Sequence, residues 1–346
     1  MGNSESSEPV EQDIAGKNQR DCRIIVIGSK SGDHSLTELR WLPKEAHILG
    51  TALSLDELEK DGVHLADANV ILNATGNAAI LAPICKKMPN LCWMHSITAG
   101  VDHLLFPELV ENDKLIITNA KGIFSSSLAE YVLGACAYFA KDFPRLIRQR
   151  ENKHWNRFCV EEIRGKCMGI VGYGDIGRAC ASLAKAYGMR TVCYRRRPHL
   201  SSDDPLVDEI YGPDNLNHVI SVADYLVLAA PLTSSTVGLI NDDTLARSKD
   251  GQVVINIGRR PLIDEEALVR ALNSGKLRGA ALDVFHEEPL PQSSPLWDLQ
   301  NVLLSPHNAD MTSDFRHRSV KFFTENCRKF IEGEDLDSIV DKVAGY

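Results

Sequence analysis

The sequence has no excess of positive charge. Its 346 residues include 38 lysines and arginines against 47 aspartates and glutamates, which gives a formal net charge of −9. A chain with this balance has no general basic field with which to hold nucleic acid or an anionic membrane surface. We therefore expect no nucleic-acid partner, and any anion that the protein binds must be held by a local group of residues.

Long apolar runs and paired cysteines are also missing. No uncharged apolar stretch approaches the roughly 20 residues that a transmembrane helix needs. The nine cysteines are scattered singly, with no Cys-x-x-Cys pair. This usage is typical of free thiols in a reducing compartment. We expect a cytoplasmic protein with no metal site and no membrane partner.

The first residues, MGNSESSEPVEQD, lack the basic start and the apolar core of a secretory signal. Gly2 followed by Ser6 fits the short pattern for N-myristoylation, but the acidic residues that follow would repel an anionic leaflet. A soluble, disordered tail over residues 1–21 is the favoured interpretation.

Short runs rich in Ile and Val alternate with helix-length segments along the rest of the chain. They read CRIIVIGS, ANVILNAT, LCWMHSIT and KLIITNA, and later CMGIVGYG, TVCY, YLVLAA, GQVVINI and GAALDVF. Repeated alternation of strands and helices favours doubly wound parallel sheets. The sequence therefore predicts an α/β fold with two such units.

Three helices have recognisable limits. The apolar periodicity from Leu128 predicts one long helix, kinked or ended near Pro144. Asp264 stands where an N-cap is needed, and Gly275 follows the helix that it would cap. A last helix is predicted over about residues 312–332.

A glycine-rich motif, GYGDIG, lies between a predicted strand and a predicted helix. Gly172 would allow the tight turn, Gly174 the approach of a pyrophosphate, and Gly177 the close packing of helix and strand. Together with Asp175 and Ile176 they predict a dinucleotide site. A glycine-rich turn without a ligand is the alternative, which this context disfavours.

About 20 residues after this motif, sites for NAD place an acidic residue that binds the adenosine ribose. This chain has VCYRRRP there, with Arg195 and Arg196 in place of the acid. A guanidinium binds a 2′-phosphate through charge-assisted hydrogen bonds. The pattern predicts a preference for NADP(H) over NAD(H), and a solvated turn is the alternative.

From about Trp93 onward the chain resembles the D-isomer-specific 2-hydroxyacid dehydrogenases, most closely their NADPH-preferring glyoxylate/hydroxypyruvate reductases. The resemblance is carried by TAGVDHL, the glycine motif, AAPLTSSTVGLIN, INIGRRPLIDEEAL, GAALDVFHEEPLP and SPHNAD. It implies a homodimer of two-domain chains with a cleft between the domains. A flavodoxin-like substrate domain would hold residues 22–125 and 312–346, and a Rossmann domain residues 126–311.

The resemblance also implies catalytic roles. Arg259, three residues after Asn256, would hold the carboxylate of a 2-keto acid and polarise its carbonyl. His307 would be the general acid, with Glu288 as a carboxylate partner that favours the imidazolium form. The family usually has glycine after the arginine, whereas this chain has Arg260.

Further contacts are implied for the cofactor and the substrate. Asp283 would bind the nicotinamide carboxamide, and Pro231 and Ile257 would line the cofactor. The backbone N–H groups around Ala99 and Gly100 would receive the substrate carboxylate together with Arg259.

The predicted activity is NADPH-dependent reduction of small 2-keto acids, such as glyoxylate and hydroxypyruvate, to D-2-hydroxy acids. A phosphoglycerate-type dehydrogenase is the first alternative, although LNATGN at residues 72–77 offers no Lys or Arg to a second anionic group. A nucleotide-sensing, corepressor-like scaffold on the same fold is the second alternative.

Overall fold

The computed structural model describes residues 20–345. Residues 1–19, which hold most of the predicted tail and the myristoylation pattern at Gly2, lie outside the described residues.

Two parallel sheets form the framework of the chain. The first sheet has the order β2-β1-β3-β4-β5. Its strands are β1 (Cys22–Ile27), β2 (Ala46–Ala52), β3 (Val70–Asn73), β4 (Trp93–Ser96) and β5 (Ile116–Asn119). The second sheet has the order β12-β11-β10-β9-β6-β7-β8. Its strands are β6 (Cys167–Val171), β7 (Arg190–Tyr194), β8 (Glu209–Tyr211), β9 (Tyr225–Leu228), β10 (Gln252–Asn256), β11 (Leu277–Leu282) and β12 (Val302–Leu304).

Helices cover both sheets. They are α1 (Leu55–Lys60), α2 (Ala78–Lys86), α3 (Pro107–Val110), α4 (Ser125–Ala140), α5 (Phe143–Glu151), α6 (Asp175–Ala186), α7 (Leu216–Val222), α8 (Asp242–Leu245), α9 (Glu265–Asn273) and α10 (Phe315–Glu332). Short 3₁₀ turns lie at His34–Trp41, Leu65–Asp67, Asp102–Leu104, Pro198–Ser201, Pro213–Asn215, Arg260–Leu262 and Pro295–Asp298. All strand pairings within the two sheets are parallel, so the predicted fold class is confirmed. Among the described helices, none is long and apolar enough to cross a membrane.

The central strands are buried on both faces, as parallel sheets require. Every residue of β3, β4, β6, β9 and β10 is buried. The last helix returns to the first sheet, where Trp93 stacks on Phe323 and Phe330 with ring centroids 5.1 and 5.2 Å away. This packing agrees with the assignment of the C-terminal residues to the first unit, while the domain limits themselves stay a prediction.

The long helix predicted from Leu128 is interrupted in the structure. α4 ends at Ala140, and α5 starts at Phe143. Between them Asp142 has a positive φ of 51° and its side chain accepts a hydrogen bond from the backbone N–H of Arg145. Pro144 therefore lies in the first turn of α5, where its missing N–H is tolerated.

The other two helix predictions hold with one adjustment. Asp264 caps α9 by accepting a hydrogen bond from the backbone N–H of Ala267 at 3.0 Å, and Gly275 after it has φ +76°. α10 begins at Phe315 rather than near residue 312. The three residues before it form a turn in which Thr312 donates to the Asp314 carboxylate.

Candidate active site

Most of the predicted site residues lie where a strand of the second sheet ends. The glycine loop follows β6, Arg195 follows β7, Pro231 follows β9, Arg259 follows β10, Asp283 and Glu288 follow β11, and His307 follows β12. The carboxyl ends of parallel strands meet at one edge, where doubly wound folds bind ligands. Ala99 and Gly100 follow β4 of the first sheet, and Ala99 packs against the core cluster that contains Ile257.

The glycine loop has the geometry that its motif predicts. Gly172 has φ +100°, and a Cβ on it would lie 2.5 Å from the backbone nitrogen of Ala230. A Cβ on Gly177 would lie 2.3 Å from the carbonyl oxygen of Gly172, so α6 and the turn are in direct contact. A Cβ on Gly174 would meet nothing within 4 Å. The backbone at Gly174 is therefore open to a phosphate at the N-terminus of α6.

The other residues predicted to bind the cofactor have different surroundings. Asp175 is exposed, and its carboxylate lies 3.5 Å from the Lys121 ammonium. Ile176 packs against the hydrophobic core. Pro231 follows the Ala230 backbone that touches Gly172, and Ile257 is buried. Their contacts with a cofactor stay predictions.

The arginines lie directly beside the glycine loop. Tyr194 is paired with Val171 across the sheet, and its carbonyl accepts a hydrogen bond from the N–H of Gly172 at 2.9 Å. The next residue, Arg195, is half-buried and donates through Nη1 to Ser201 Oγ. Arg196 is exposed. The contact of these arginines with a cofactor stays a prediction.

His307 and Glu288 form a pair. His307 Nδ1 lies 2.9 Å from Glu288 Oε2, and Glu288 Oε1 accepts the backbone N–H of Phe285 at 2.9 Å. Burial alone would raise the pKa of the Glu288 carboxyl, but the hydrogen bonds from His307 and Phe285 outweigh it and lower the pKa. Glu288 is thus held as a carboxylate next to a histidine whose side chain is 51% exposed.

A buried carboxyl holds the loop that carries His307, a role that the sequence did not reveal. Asp283 Oδ1 accepts hydrogen bonds from Ser305 Oγ at 2.5 Å and from the N–H groups of Asn308 and Ala309 at 3.0 and 3.1 Å. Burial raises the pKa of Asp283 in spite of these bonds. His307 itself has a positive φ of 54°, a strained backbone that this network maintains.

The loop that carries Arg259 is shaped by Asn256. The Asn256 side-chain oxygen accepts the N–H of Gly258 at 3.1 Å, and its amide donates to the carbonyl of Arg259 at 3.3 Å. Arg259 is half-buried, and its Nη1 donates to the Gly258 carbonyl at 2.9 Å. Arg260, at the position where the family usually has glycine, donates to the carbonyl of His286 at 2.5 Å. It thereby joins this loop to the one that carries Glu288.

A further carboxyl, Asp310, lies in the same site and was missed from the sequence. Burial raises the pKa of Asp310, while the charges of His307 and Arg259 act in the opposite direction. Arg259 and His307 therefore both lie within electrostatic reach of one carboxyl group. The structure brings Arg259, Glu288 and His307 into one neighbourhood.

The loop from the first sheet offers donors. The carbonyl of Ala99 accepts the side-chain amide of Asn119 at 2.6 Å, and that of Gly100 accepts Thr98 Oγ1 at 3.0 Å. Within residues 20–345, the N–H groups of Ala99 and Gly100 donate to no other atom of the protein. They are available to a substrate carboxylate, a role that stays a prediction.

Comparisons with known proteins identify the family that the chain is similar to. Residues 133–309 match the family described as D-isomer specific 2-hydroxyacid dehydrogenase, NAD binding domain. The glyoxylate reductase of Thermofilum pendens is 31% identical over 269 residues, which are 75% of this chain and 78% of that protein. The D-3-phosphoglycerate dehydrogenase of Methanocaldococcus jannaschii is 30% identical over 85% of this chain, which spans only 55% of that protein.

Among solved structures, similarity extends over the whole fold. The NADPH-dependent glyoxylate/hydroxypyruvate reductase from Sinorhizobium meliloti, in complex with NADP and sulfate, superposes with a TM-score of 0.78. It is 25% identical, and the match covers 94% of this chain and all of that one.

Proposed function

Because the chain belongs to the D-isomer-specific 2-hydroxyacid dehydrogenases, we propose that it reduces small 2-keto acids to D-2-hydroxy acids with NADPH. The observation that carries this proposal is the pairing of His307 with Glu288 at 2.9 Å in the neighbourhood of Arg259. A cation for the carboxylate and a proton donor for the oxygen are what the reduction of a keto acid requires.

When NADPH is bound, it would supply a hydride to the keto carbon, while the residues of the chain bind the substrate and protonate its oxygen. Arg259 holds the substrate carboxylate, and the free N–H groups of Ala99 and Gly100 bind it from the other side. His307 gives its proton to the carbonyl oxygen as negative charge develops there. Glu288 keeps His307 oriented through the hydrogen bond to Nδ1. The cleft between the two sheets is the proposed place where water is excluded.

The first experiment measures NADPH oxidation by the purified protein with glyoxylate, hydroxypyruvate and 3-phosphohydroxypyruvate. We expect turnover of the two small acids that falls by about 10²-fold or more in His307→Ala. Negligible turnover in both proteins would instead favour a nucleotide-sensing scaffold.

The same panel tests the substrate. Residues 72–77 contain no Lys or Arg that could bind a phosphate on the substrate, which supports a small uncharged tail. A phosphoglycerate-type dehydrogenase is the alternative, because the chain is also similar to a D-3-phosphoglycerate dehydrogenase. A higher kcat/KM for 3-phosphohydroxypyruvate than for hydroxypyruvate would favour it.

The proposed preference for NADPH rests on Arg195, which is half-buried beside the glycine loop. We expect Arg195→Asp to shift the ratio of kcat/KM from NADPH toward NADH by about tenfold or more, since 1.4 kcal/mol corresponds to a factor of ten. Arg247→Asp, an exposed arginine of the same sheet unit, is the control that should leave the ratio unchanged. An equal effect of both substitutions would assign the preference to overall charge.

A homodimer is proposed from an exposed apolar patch at α5 and the segment after it. Its members are Phe143, Leu146, Ile147, Trp155 and Val160, which are 41%, 46%, 42%, 94% and 51% exposed. Exposed apolar side chains concentrated in one segment of the chain favour an interaction surface there, and a second copy of the chain is the occupant that the family resemblance implies. The cytoplasm is the proposed location, because all nine cysteines are free thiols.

A further inference from the structure

The segment that follows the arginines is fastened to the glycine loop through one carboxylate, Asp204. Its Oδ2 accepts two hydrogen bonds, from the Tyr173 hydroxyl at 3.0 Å and from Arg178 Nε at 2.7 Å. Tyr173 is the second residue of the glycine motif and is 3% exposed. Arg178 lies in α6, directly after the last glycine of the motif. The Asp204 side chain is 12% exposed, whereas that of Arg178 is 59% exposed.

The same segment sets the position of Arg195. Arg195 Nη1 donates to Ser201 Oγ, and the carbonyl of Ser201 accepts the backbone N–H of Asp204 at 3.3 Å. A continuous set of hydrogen bonds therefore runs from the glycine loop through Asp204 and Ser201 to the Arg195 guanidinium. We call Tyr173, Arg178, Ser201 and Asp204 the arginine clamp.

Polar contacts join the clamp to the glycine loop. A cavity of about 330 Å³ opens beside it, lined by residues that include Arg178, His199, Ser201 and Asp204. Burial alone would raise the pKa of Asp204, but hydrogen bonds from the Leu206 N–H, Arg178 and Tyr173 lower it. The group is therefore a carboxylate. By its charge alone, a carboxylate beside an anion site opposes anion binding, so any favourable effect of Asp204 on NADPH must come from position.

We propose that Asp204 is a positioning residue for cofactor selection, which holds residues 195–204 against the glycine loop and so aims Arg195 at the 2′-phosphate of NADPH. This inference rests on the proposed preference for NADPH. NADH lacks the 2′-phosphate, so its affinity depends on the glycine loop but not on the direction of Arg195. The clamp therefore acts on the ratio of the two affinities.

The test measures the dissociation constants of NADPH and NADH for the full chain by quenching of protein fluorescence. The variants are Tyr173→Phe and Ser201→Ala, which change no charge, and Asp204→Asn, which removes one. We expect each to raise the Kd for NADPH by about three- to tenfold, the worth of one or two hydrogen bonds. The Kd for NADH should change by less than about twofold.

The matched control is Asp242→Asn, which removes an arginine–carboxylate pair outside the clamp and outside the predicted cofactor residues. Asp242 Oδ2 accepts Arg270 Nη2 at 2.7 Å, and both side chains are more than half exposed. This variant should leave both dissociation constants unchanged. Melting temperatures of all variants show whether each one is folded, and three independent substitutions keep the test decisive if one fails to fold.

Two results would overturn the inference. Equal losses of NADPH and NADH affinity would mean that the clamp only supports the glycine loop. Tighter NADPH binding in Asp204→Asn, without any loss in Tyr173→Phe, would mean that Asp204 acts only as a repelling charge. A wild-type protein that binds both cofactors equally would instead refute the proposed NADPH preference, and the two failures are thus distinguishable.

Discussion

At the scale of single residues, the carboxylate of Glu288 is the group on which the proposed acid depends. Glu288→Gln keeps the shape of the side chain and removes the charge that faces His307. We expect kcat for glyoxylate to fall by on the order of 10²-fold, because His307 loses the charged partner that orients its ring. NADPH affinity should stay within about twofold, since Glu288 is not among the residues proposed to bind the cofactor.

Glu287→Gln provides the matched control for this prediction. Glu287 is the adjacent exposed glutamate and has no role in the proposed mechanism, so kcat should be unchanged. Comparable rates for the two variants would separate Glu288 from catalysis.

The buried carboxyl group of Asp310 leads to a prediction about how the stability of the protein depends on pH. Its pKa is raised above the ordinary value of 3.8, first of all by burial, so the folded protein binds this proton more tightly than the unfolded chain does. The charged Asp310 carboxylate therefore lowers the free energy of unfolding. This loss of stability is complete at pH values above the pKa of Asp310 in the folded protein, and it disappears below pH 3.8. We expect Asp310→Asn to raise Tm at pH 7 by about 1–3 °C.

The gain should shrink as the pH is lowered toward 4, where wild-type Asp310 is increasingly protonated. Calorimetry at pH 7 and at pH 4.5 checks this, with Asp243→Asn as the control at an exposed carboxyl. An increase in Tm that is the same at both pH values would mean that burial of the Asp310 charge does not cause the increase.

At the scale of elements, a substitution in the turn between β6 and α6 can change cofactor binding without disturbing the fold. A Cβ on Gly174 meets nothing within 4 Å, so Gly174→Ala should fold with a Tm close to that of the wild type. The added methyl group would occupy the space through which a pyrophosphate approaches the backbone. We expect the Kd values of NADPH and NADH to rise together, by about tenfold or more.

Gly134→Ala is the control for the added methyl group. Gly134 lies in α4, and its Cβ would also meet nothing within 4 Å. Because alanine is the better helix former, this variant should be slightly more stable and should bind both cofactors normally. Unaltered affinities in Gly174→Ala would place the pyrophosphate elsewhere.

Elements whose signals are local in sequence were predictable. The cap of α9 and the turn at Gly172 depend on neighbours within a few residues, and their residue types follow from backbone geometry. The break between α4 and α5 was harder to locate. Pro144 marked its vicinity, but the helix ends earlier because Asp142 adopts a left-handed conformation.

At the scale of the whole molecule, the alternation of strands and helices was enough to predict two parallel sheets. Motifs led to Arg259, Glu288 and His307, which the structure brings into one neighbourhood, while their catalytic roles stay predictions. The network around Asp204 was not predictable, because it joins residues 31 apart in sequence with no shared pattern. Asp283 shows the same limit, since its bonds to the His307 loop span 25 residues.

Assembly is the property of the whole molecule that the apolar patch at α5 predicts. We expect wild-type protein to have about twice the chain mass of 38.2 kDa in light scattering at micromolar concentration. Ile147→Glu would bury a charge against apolar surface in the dimer, which is strongly unfavourable. We expect the dissociation constant of the dimer to rise by at least about 100-fold, equivalent to about 2.7 kcal/mol.

Trp41→Glu is the control, because Trp41 is a large apolar side chain that is 56% exposed and lies on the first sheet unit, outside the patch. That variant should remain dimeric if the patch at α5 is the interface. Monomeric wild-type protein would remove the proposed homodimer, and dissociation by Trp41→Glu alone would move the interface to the other unit. Since the patch contains none of the residues assigned to the reaction, a monomeric Ile147→Glu that still reduces glyoxylate would show that each chain carries a complete site.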